Sequence, residues 1–277
     1  MILVVGSKGM LGQELMGLLG SAARGVDVGD IDITDMCSVQ RVLVTLKPRV
    51  VVNAAAFTDV DRCETETELA LQVNGEGVAH LAMISKEIGA KLVQVSTDYV
   101  FNGGKNAPYL EDDAPAPLSI YGESKLAGEM NAKFNPDHLI VRTQWLYGHG
   151  GKNFVETMLR LAGERSTLDV VDDQIGSPTW TYDLALAIKA LLDKGCQGTY
   201  HAANSGFVSW NGFAREIFRL SGLGVTVNPM STEKLGRPAP RPLYSTLDCG
   251  KLAEDTGFVP QPWQEALKRY LELRTVK

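Results

Sequence analysis

Tyr121 and Lys125 stand four residues apart in the stretch "YGESKLAGE". Residues at that spacing share one face of a helix, so a helix here would aim a phenol and an amine into the same space. The phenol alone is a poor proton carrier near neutrality, because a free tyrosine ionises only near pH ~10. An ammonium beside it favours the phenolate and brings the hydroxyl toward the range where general acid–base catalysis works. The spacing carries little by itself, since an ordinary tyrosine beside a surface lysine gives the same pattern. For the pair to do chemistry, the chain must also hold a reactant next to it.

"VVGSKGMLGQEL", near the start of the chain, could supply that holder. Gly6, Gly9 and Gly12 form a G-x-x-G-x-x-G series between the apolar run Ile2 to Val5 and the helical pattern Leu11 to Leu19. Such a junction uses glycine because the turn needs positive φ, the backbone must approach a phosphate, and the helix must pack closely on the strand. The helix N-terminus then offers free N–H groups and a partial positive charge to a pyrophosphate. Gly6, Lys8, Gly9, Met10, Leu11 and Gly12 are therefore the expected dinucleotide loop, with a plain tight turn as the alternative. No G-K-[ST] follows, which argues against a nucleoside-triphosphatase loop. Asp27 ends the next stretch, "ARGVDV", where an acid can accept from ribose hydroxyls. Asp32 and Ile33, in "GDIDITD", fall where they could meet an adenine ring. The plainer reading of these acids is a solvated loop.

The elements around these residues read as alternating strands and helices. Ile2 to Val5, "RVVVNAAA" after Pro48, "AKLVQVS" (Ala90 to Ser96) and "HLIVRTQWLYG", ending at Gly148, are short apolar runs of the kind that form buried strands. Glu66 to Ile88 reads as one long helix, and another holds Tyr121 and Lys125. This alternation implies an α/β fold, a Rossmann-like doubly wound parallel sheet covered by helices on both faces. Past about residue 150 the pattern changes. "NFVETMLRLAGE", "TYDLALAIKALLDKG" and "SWNGFAREIFRLSG" read as helices, the last with Ser209 or Asn211 as N-cap. "LDVVDD" and "GTYHAAN" read as short strands, and Trp263 to Val276 as a last helix. "RPAPRP" at 237–242 suits neither a helix nor a central strand, because proline lacks the donor. The expected organisation is a dinucleotide-binding part over 1–150 and a smaller, mainly substrate-binding α/β part over 151–277. No clean linker separates them, so they are expected to interleave in one body.

The 277 residues, 44% hydrophobic and 22% charged, suit an ordinary globular protein. A net charge of -6 argues against a broad nucleic-acid-binding face. Cys37, Cys63, Cys196 and Cys249 show no C-x-x-C spacing, so neither a zinc site nor a redox pair is expected. No basic leader opens the chain and no run of about 18 apolar residues marks a membrane span. The expected location is the cytoplasm, with no membrane partner and no metal.

Taken together, "GSKGMLGQEL", "DIDITD", "VVNAAAFTDVDRCE", "VSTDYVFNG", "YGESKLAGE", "VRTQWLYG", "DDQIGSPT" and "RPLYSTLD" resemble the extended short-chain dehydrogenases/reductases. Within that group they are most similar to the dTDP-4-dehydrorhamnose reductase family. The resemblance spans most of the chain. It implies a catalytic set of Thr97, Tyr121 and Lys125, with Tyr121 and Lys125 also touching the cofactor, which would be NADPH or NADH. It implies that Ala54, Ala55 and Ala56 line the cofactor and that Thr58 lies on the substrate approach. Asp98 and Tyr99 would follow Thr97 on the sugar side, Trp145 would pack on the sugar, and Arg241 would reach the diphosphate of a nucleotide-sugar partner. A homodimer is among the assemblies it allows. Val28 stands where many relatives carry a basic residue that favours the 2′-phosphate of NADP, so the family's usual NADPH preference does not carry over.

The chemistry so implied is reduction of the 4-keto group of dTDP-4-dehydrorhamnose to dTDP-L-rhamnose. Hydride would come from the cofactor, a proton from Tyr121, and Thr97 would orient the carbonyl oxygen. Two alternatives stay open on the same fold: another nucleotide-sugar reductase or epimerase, and a non-catalytic regulatory subunit resembling that of methionine adenosyltransferase.

Overall fold

The computed structural model describes residues 1–274. Five strands from the first half of the chain, β1 (Ile2–Val5), β2 (Ala23–Val26), β3 (Val50–Asn53), β4 (Lys91–Thr97) and β5 (His138–Thr143), form a parallel sheet. A sixth strand, Gly198–His201, comes from the second half and pairs with β5, also in parallel. From one edge the order is Gly198–His201, β5, β4, β3, β1, β2. The chain therefore leaves β1 in one direction toward β2 and resumes on its other side at β3. That reversal opens a crevice at the carboxyl ends of the strands, where ligands of open α/β sheets bind.

Both faces of the middle of the sheet are buried, which is why β1 (ILVV) and β3 (VVVN) are near-continuous Val, Ile and Leu, while the edge strands ARGV and GTYH are not. Alternate side chains go to opposite faces. Leu3, Val5 and Val51 join one core with Val39, Leu43, Val78 and Leu81, from α2 (Met36–Leu46) and α5 (Gly77–Glu87). Val4, Val52 and Val93 join the other with Leu11 and Leu15 of α1 (Met10–Leu19) and Leu184, Ile188 and Leu191 of the helix Thr181–Asp193. A third core, rich in rings, gathers Tyr147, Trp180, Phe213, Trp263 and Tyr270 from the second half of the chain.

Two details depart from the sequence pattern. The segment read as one helix from Glu66 to Ile88 is α4 (Thr67–Leu71), a π-type turn over Gln72–Glu76, and then α5. The wide turn has a reason: Asn74 accepts from the Phe57 N–H at 2.8 Å and donates to the Phe57 carbonyl at 3.0 Å and to Ser124 Oγ at 3.0 Å. The strand read through to Gly148 stops at Thr143, because Trp145 takes a left-handed φ of 46°. Beyond it, Leu146–Tyr147 pairs instead with Thr179–Trp180. Of the two candidate caps, Ser209 is the one that accepts from the Gly212 N–H and starts the helix Trp210–Leu220. The last helix runs Trp263–Arg274; Val276, the expected end, lies outside the described residues.

Candidate active site

The carboxyl ends of β1, β3, β4 and β5 open on a cleft of about 430 Å³. Gly9, Met10, Leu11 and Gly12 wall one end, and Ala54, Ala55, Ala56 and Thr58 follow β3. Thr97, Asp98 and Tyr99 come from the end of β4, Tyr121 and Lys125 from α6 (Ile120–Ala132), and Trp145 from beyond β5. Gly6, Lys8, Asp27, Asp32, Ile33 and Arg241 stand outside this lining. Ile33 is buried in the core and its carbonyl meets His80 Nδ1 at 2.9 Å, while Asp32 is exposed and accepts from Thr34. Asp27 takes the Lys8 N–H at 2.8 Å and the Val28 N–H at 2.9 Å on its two oxygens. Arg241 pairs with Asp61 of α3 (Val60–Cys63) at 3.0 Å.

The glycine loop has the shape a phosphate cradle needs. Gly6 has φ +79°, and a Cβ there would stand 2.7 Å from the Ala55 nitrogen. A Cβ on Gly12 would stand 2.1 Å from the Gly6 carbonyl oxygen. Among the described residues no side chain caps the first turn of α1, whose N-cap is Gly9 in extended conformation. Its N–H groups are the orphan donors of a helix start, with the favourable end of the helix dipole behind them. Small alanines across the cleft leave the space open. A dinucleotide pyrophosphate fits this donor set.

α6 begins with Ser119, whose side chain accepts from the Gly122 N–H. Its helical backbone places Tyr121 and Lys125 one turn apart on the cleft side. Lys125 is buried, and its Nζ donates to the Val95 carbonyl at 2.7 Å. Burial pushes its pKa down to about 8, against the pull of the Glu129 charge. Tyr121 is half-buried because it faces the cleft, yet protein crowds its hydroxyl enough that burial pushes its pKa well up; a hydrogen bond with Thr97 pulls the other way. The Tyr99 ring meets Tyr121 edge-on at 5.4 Å. The protein's own groups therefore keep Tyr121 protonated, where the sequence suggested a phenol tuned toward its anion.

Asp98 is 1% exposed. Thr97 Oγ1 donates to one of its oxygens at 3.1 Å and Ser245 Oγ to the other at 2.5 Å. Burial outweighs these donors and pushes its pKa up to about 7. The native state thus holds this proton more tightly than the unfolded chain does. The stability it contributes is fully present below the unfolded value of 3.8 and is lost as pH rises through about 7. That interval corresponds to on the order of 4 kcal/mol. Asp98→Asn should flatten the dependence of stability on pH across this window, as followed by urea unfolding at a series of pH values. A variant curve parallel to that of the unmodified protein would assign the titration to another group.

Several residues in or beside the cleft escaped the sequence reading, Val60, Val95, Thr143, Gln144 and Leu146 among its walls, and two more carry structural weight. Trp210 lines the cleft and stacks on Trp145, with ring centroids 3.5 Å apart and planes 7° from parallel. Asn74 ties the Phe57 backbone, beside the alanine stretch, to α6. The Asn74–Gly75 pair inside a helical pattern is the one local signal that could have pointed to the second.

The RmlD substrate binding domain model matches residues 1–275. A dTDP-4-dehydrorhamnose reductase of Streptomyces griseus is 47% identical over 96% of this chain and 91% of its own. The chain belongs to the dTDP-4-dehydrorhamnose reductase family. A reductase of this name from Bacillus anthracis, solved in complex with NADP, superimposes with a TM-score of 0.95 at 42% identity, covering 98% of each chain. A dTDP-4-keto-6-deoxy-D-glucose reductase of Streptomyces niveus is 40% identical over 98% of this chain and 96% of its own. Membership of the reductase family accounts for a cleft that joins a phosphate-cradling helix start to a tyrosine–lysine pair.

Proposed function

We propose that this chain reduces the 4-keto group of dTDP-4-dehydrorhamnose to dTDP-L-rhamnose, using NADPH or NADH. The observation that carries the reading is the single cleft shared by the α1 start and by Thr97, Tyr121 and Lys125, in a chain of this family. Residues 1–150 supply most of the dinucleotide side and 151–277 mainly the sugar side, with the sixth strand woven into the shared sheet.

The α1 start, with Gly9, Met10, Leu11 and Gly12, would hold the pyrophosphate, and Ala54, Ala55 and Ala56 leave room for the rings beside it. The bound nicotinamide supplies the hydride. Tyr121 protonates the ketone oxygen as charge develops on it. A neutral phenol is the right resting form for that step, and an alkoxide is a far stronger base than a phenolate, so the proton moves downhill. The Lys125 ammonium stabilises the tyrosinate left behind. Thr97, held by its bond to Asp98, would orient the oxygen. The Trp145–Trp210 stack offers a flat wall for the sugar ring. Arg241 would serve the diphosphate by exchanging the Asp61 carboxylate for a phosphate.

The assay is NADPH oxidation with dTDP-4-dehydrorhamnose, with the product sugar identified. The relative named for dTDP-4-keto-6-deoxy-D-glucose favours a second substrate reading, so that 4-keto sugar belongs in the same assay. A faster reaction with it would move the second reading ahead, and no oxidation with either would remove the reductase reading.

Cofactor choice follows from the end of β2. Val28 is 89% exposed beside Asp27, whose carboxylate is held by two backbone donors. Neither is a cation for a 2′-phosphate, so the unmodified protein should bind NADH and NADPH with less discrimination than a family member with a basic residue there. Val28→Arg should shift the ratio of dissociation constants toward NADPH by about tenfold, roughly the worth of one partly exposed charge-assisted hydrogen bond. Strong NADPH selectivity in the unmodified protein, measured by fluorescence titration, would contradict the assignment of Asp27 and Val28.

A further inference from the structure

Glu129 lies one further turn along α6, so Tyr121, Lys125 and Glu129 form a row at i, i+4 and i+8. It is 3% exposed and accepts from Arg142 Nη2 at 2.7 Å, Arg142 Nε at 2.8 Å and Ser96 Oγ at 2.6 Å. Arg142, 4% exposed on β5, also donates to the Glu111 carbonyl at 3.2 Å and lies over the Phe101 ring at 5.1 Å. Burying such a pair costs desolvation that apolar residues of the same volume would avoid, and exchanging it for them often stabilises a protein. Stability is therefore a weak reason for placing a clamped carboxylate in the core. Lys125 supplies a better one: among the described residues its one hydrogen bond goes to the Val95 carbonyl, a neutral acceptor, in a site that disfavours charge.

We propose that Glu129, clamped by Arg142 and Ser96, is the positioning residue that keeps Lys125 an ammonium beside Tyr121. Other groups around α6 do not fill that role. Asp98, on the turn after β4, is pushed up to about 7 by burial and is partly ionised near neutral pH, but its charge bears on Tyr99 and Tyr121 and not on Lys125, and Tyr99 is held protonated by burial. Cys63 on α3 is a buried thiol pushed up to about 11. His201 on the sixth strand is pushed down to about 3 by burial and by Arg142. Asp61 and Arg62 of α3 pair with Arg241 and Glu66. Glu68, Glu76, Lys86, Glu87 and Glu123 point to solvent, His80 bonds the Ile33 carbonyl, and Lys91 and His138 stand at the far ends of β4 and β5. Glu129 is the one whose charge raises the proton affinity of Lys125.

The proposal rests on the reading of Lys125 given above, so its test is chosen to be independent of the sugar. In protein carrying isotope-labelled lysine, the Lys125 signal is assigned by its loss in Lys125→Met and titrated by NMR. Glu129→Gln should lower its midpoint by about one unit, a tenfold loss of proton affinity. Glu129→Asp keeps the charge and should hold the midpoint near that of the unmodified protein even where it lowers the melting temperature. Should Glu129→Gln not fold, Glu129→Gln/Arg142→Met removes both members and leaves no orphan charge; a downward shift is again expected, smaller because the opposing Arg142 cation goes too. In these folded variants the pH profile of NADPH affinity should shift in step with the NMR midpoint. An unmoved midpoint in the Gln variants, with stability lost alike in Gln and Asp, would make the network structural and overturn the proposal. Full turnover in Lys125→Met would instead refute the role of Lys125 and leave the electrostatic result standing.

Discussion

Tyr121→Phe will lower kcat by about 10²- to 10⁴-fold, the usual worth of general acid catalysis, while cofactor affinity stays near normal. The substitution removes one oxygen from a ring that packs edge-on against Tyr99, and that contact needs no hydroxyl, so the fold should persist. Proton donation develops as the ketone becomes an alkoxide, so the loss falls on the transition state and not on ground-state binding. Lys125→Met should also slow turnover. It should weaken cofactor binding as well, because an ammonium at this position would touch the ribose. The two changes act on one proton transfer, so the double variant should be less impaired than the product of the single losses. Steady-state kinetics on a 4-keto nucleotide sugar, paired with NADPH titrations, separates these effects. A Tyr121→Phe enzyme with nearly full kcat would sink the assignment of the acid.

The parts of the site that lie close in sequence were legible in part. The spacing of Tyr121 and Lys125 said only that they share a helical face, the place of Gly6, Gly9 and Gly12 between an apolar run and an amphipathic one marked a tight turn, and reading them as one site took the resemblance of the whole chain. Strand existence was legible, since buried parallel strands are written as Val and Ile runs. What could not be read was pairing across long separations. Nothing local says that Gly198–His201 docks beside β5, or that Trp210 travels across 65 positions to stack on Trp145. Glu129 was present in the spacing as the third residue of the row. Its meaning appears only with Arg142, which a neighbouring strand supplies. Arg241 shows the opposite limit: its neighbouring prolines marked a stiff loop, but its ion pair with Asp61 needed the fold. The Glu66 to Ile88 pattern was read as a single helix because its apolar faces are consistent. The π-type turn arises from what Asn74 bonds, a tertiary cause that periodicity does not carry.

Gly12→Ala should weaken NADPH binding by about a hundredfold or more and lower the melting temperature. A methyl group at this position would stand 2.1 Å from the Gly6 carbonyl oxygen and 2.7 Å from the Ser7 Cα. Both are backbone atoms, so no rotamer change relieves the clash. Either α1 slides along its axis or the loop between Gly6 and Gly9 opens. Sliding α1 disturbs Leu11 and Leu15, which are packed in the core between the sheet and the helix Thr181–Asp193, and strain of that kind costs about 1–3 kcal/mol. Opening the loop moves the uncapped N–H groups away from the phosphates they would bind, and each tenfold of affinity is about 1.4 kcal/mol. The two losses have different readouts, since overpacking appears in thermal unfolding and the displaced cradle appears in cofactor titration. Gly17→Ala, on the exposed face of α1 and away from the cleft, is the matched control. Its added Cβ would find nothing within 4 Å, so it should retain the fold and the binding. Equal affinity for NADPH in Gly12→Ala and the unmodified protein would mean that the start of α1 does not carry the pyrophosphate, and the cofactor side of the cleft would have to be reassigned.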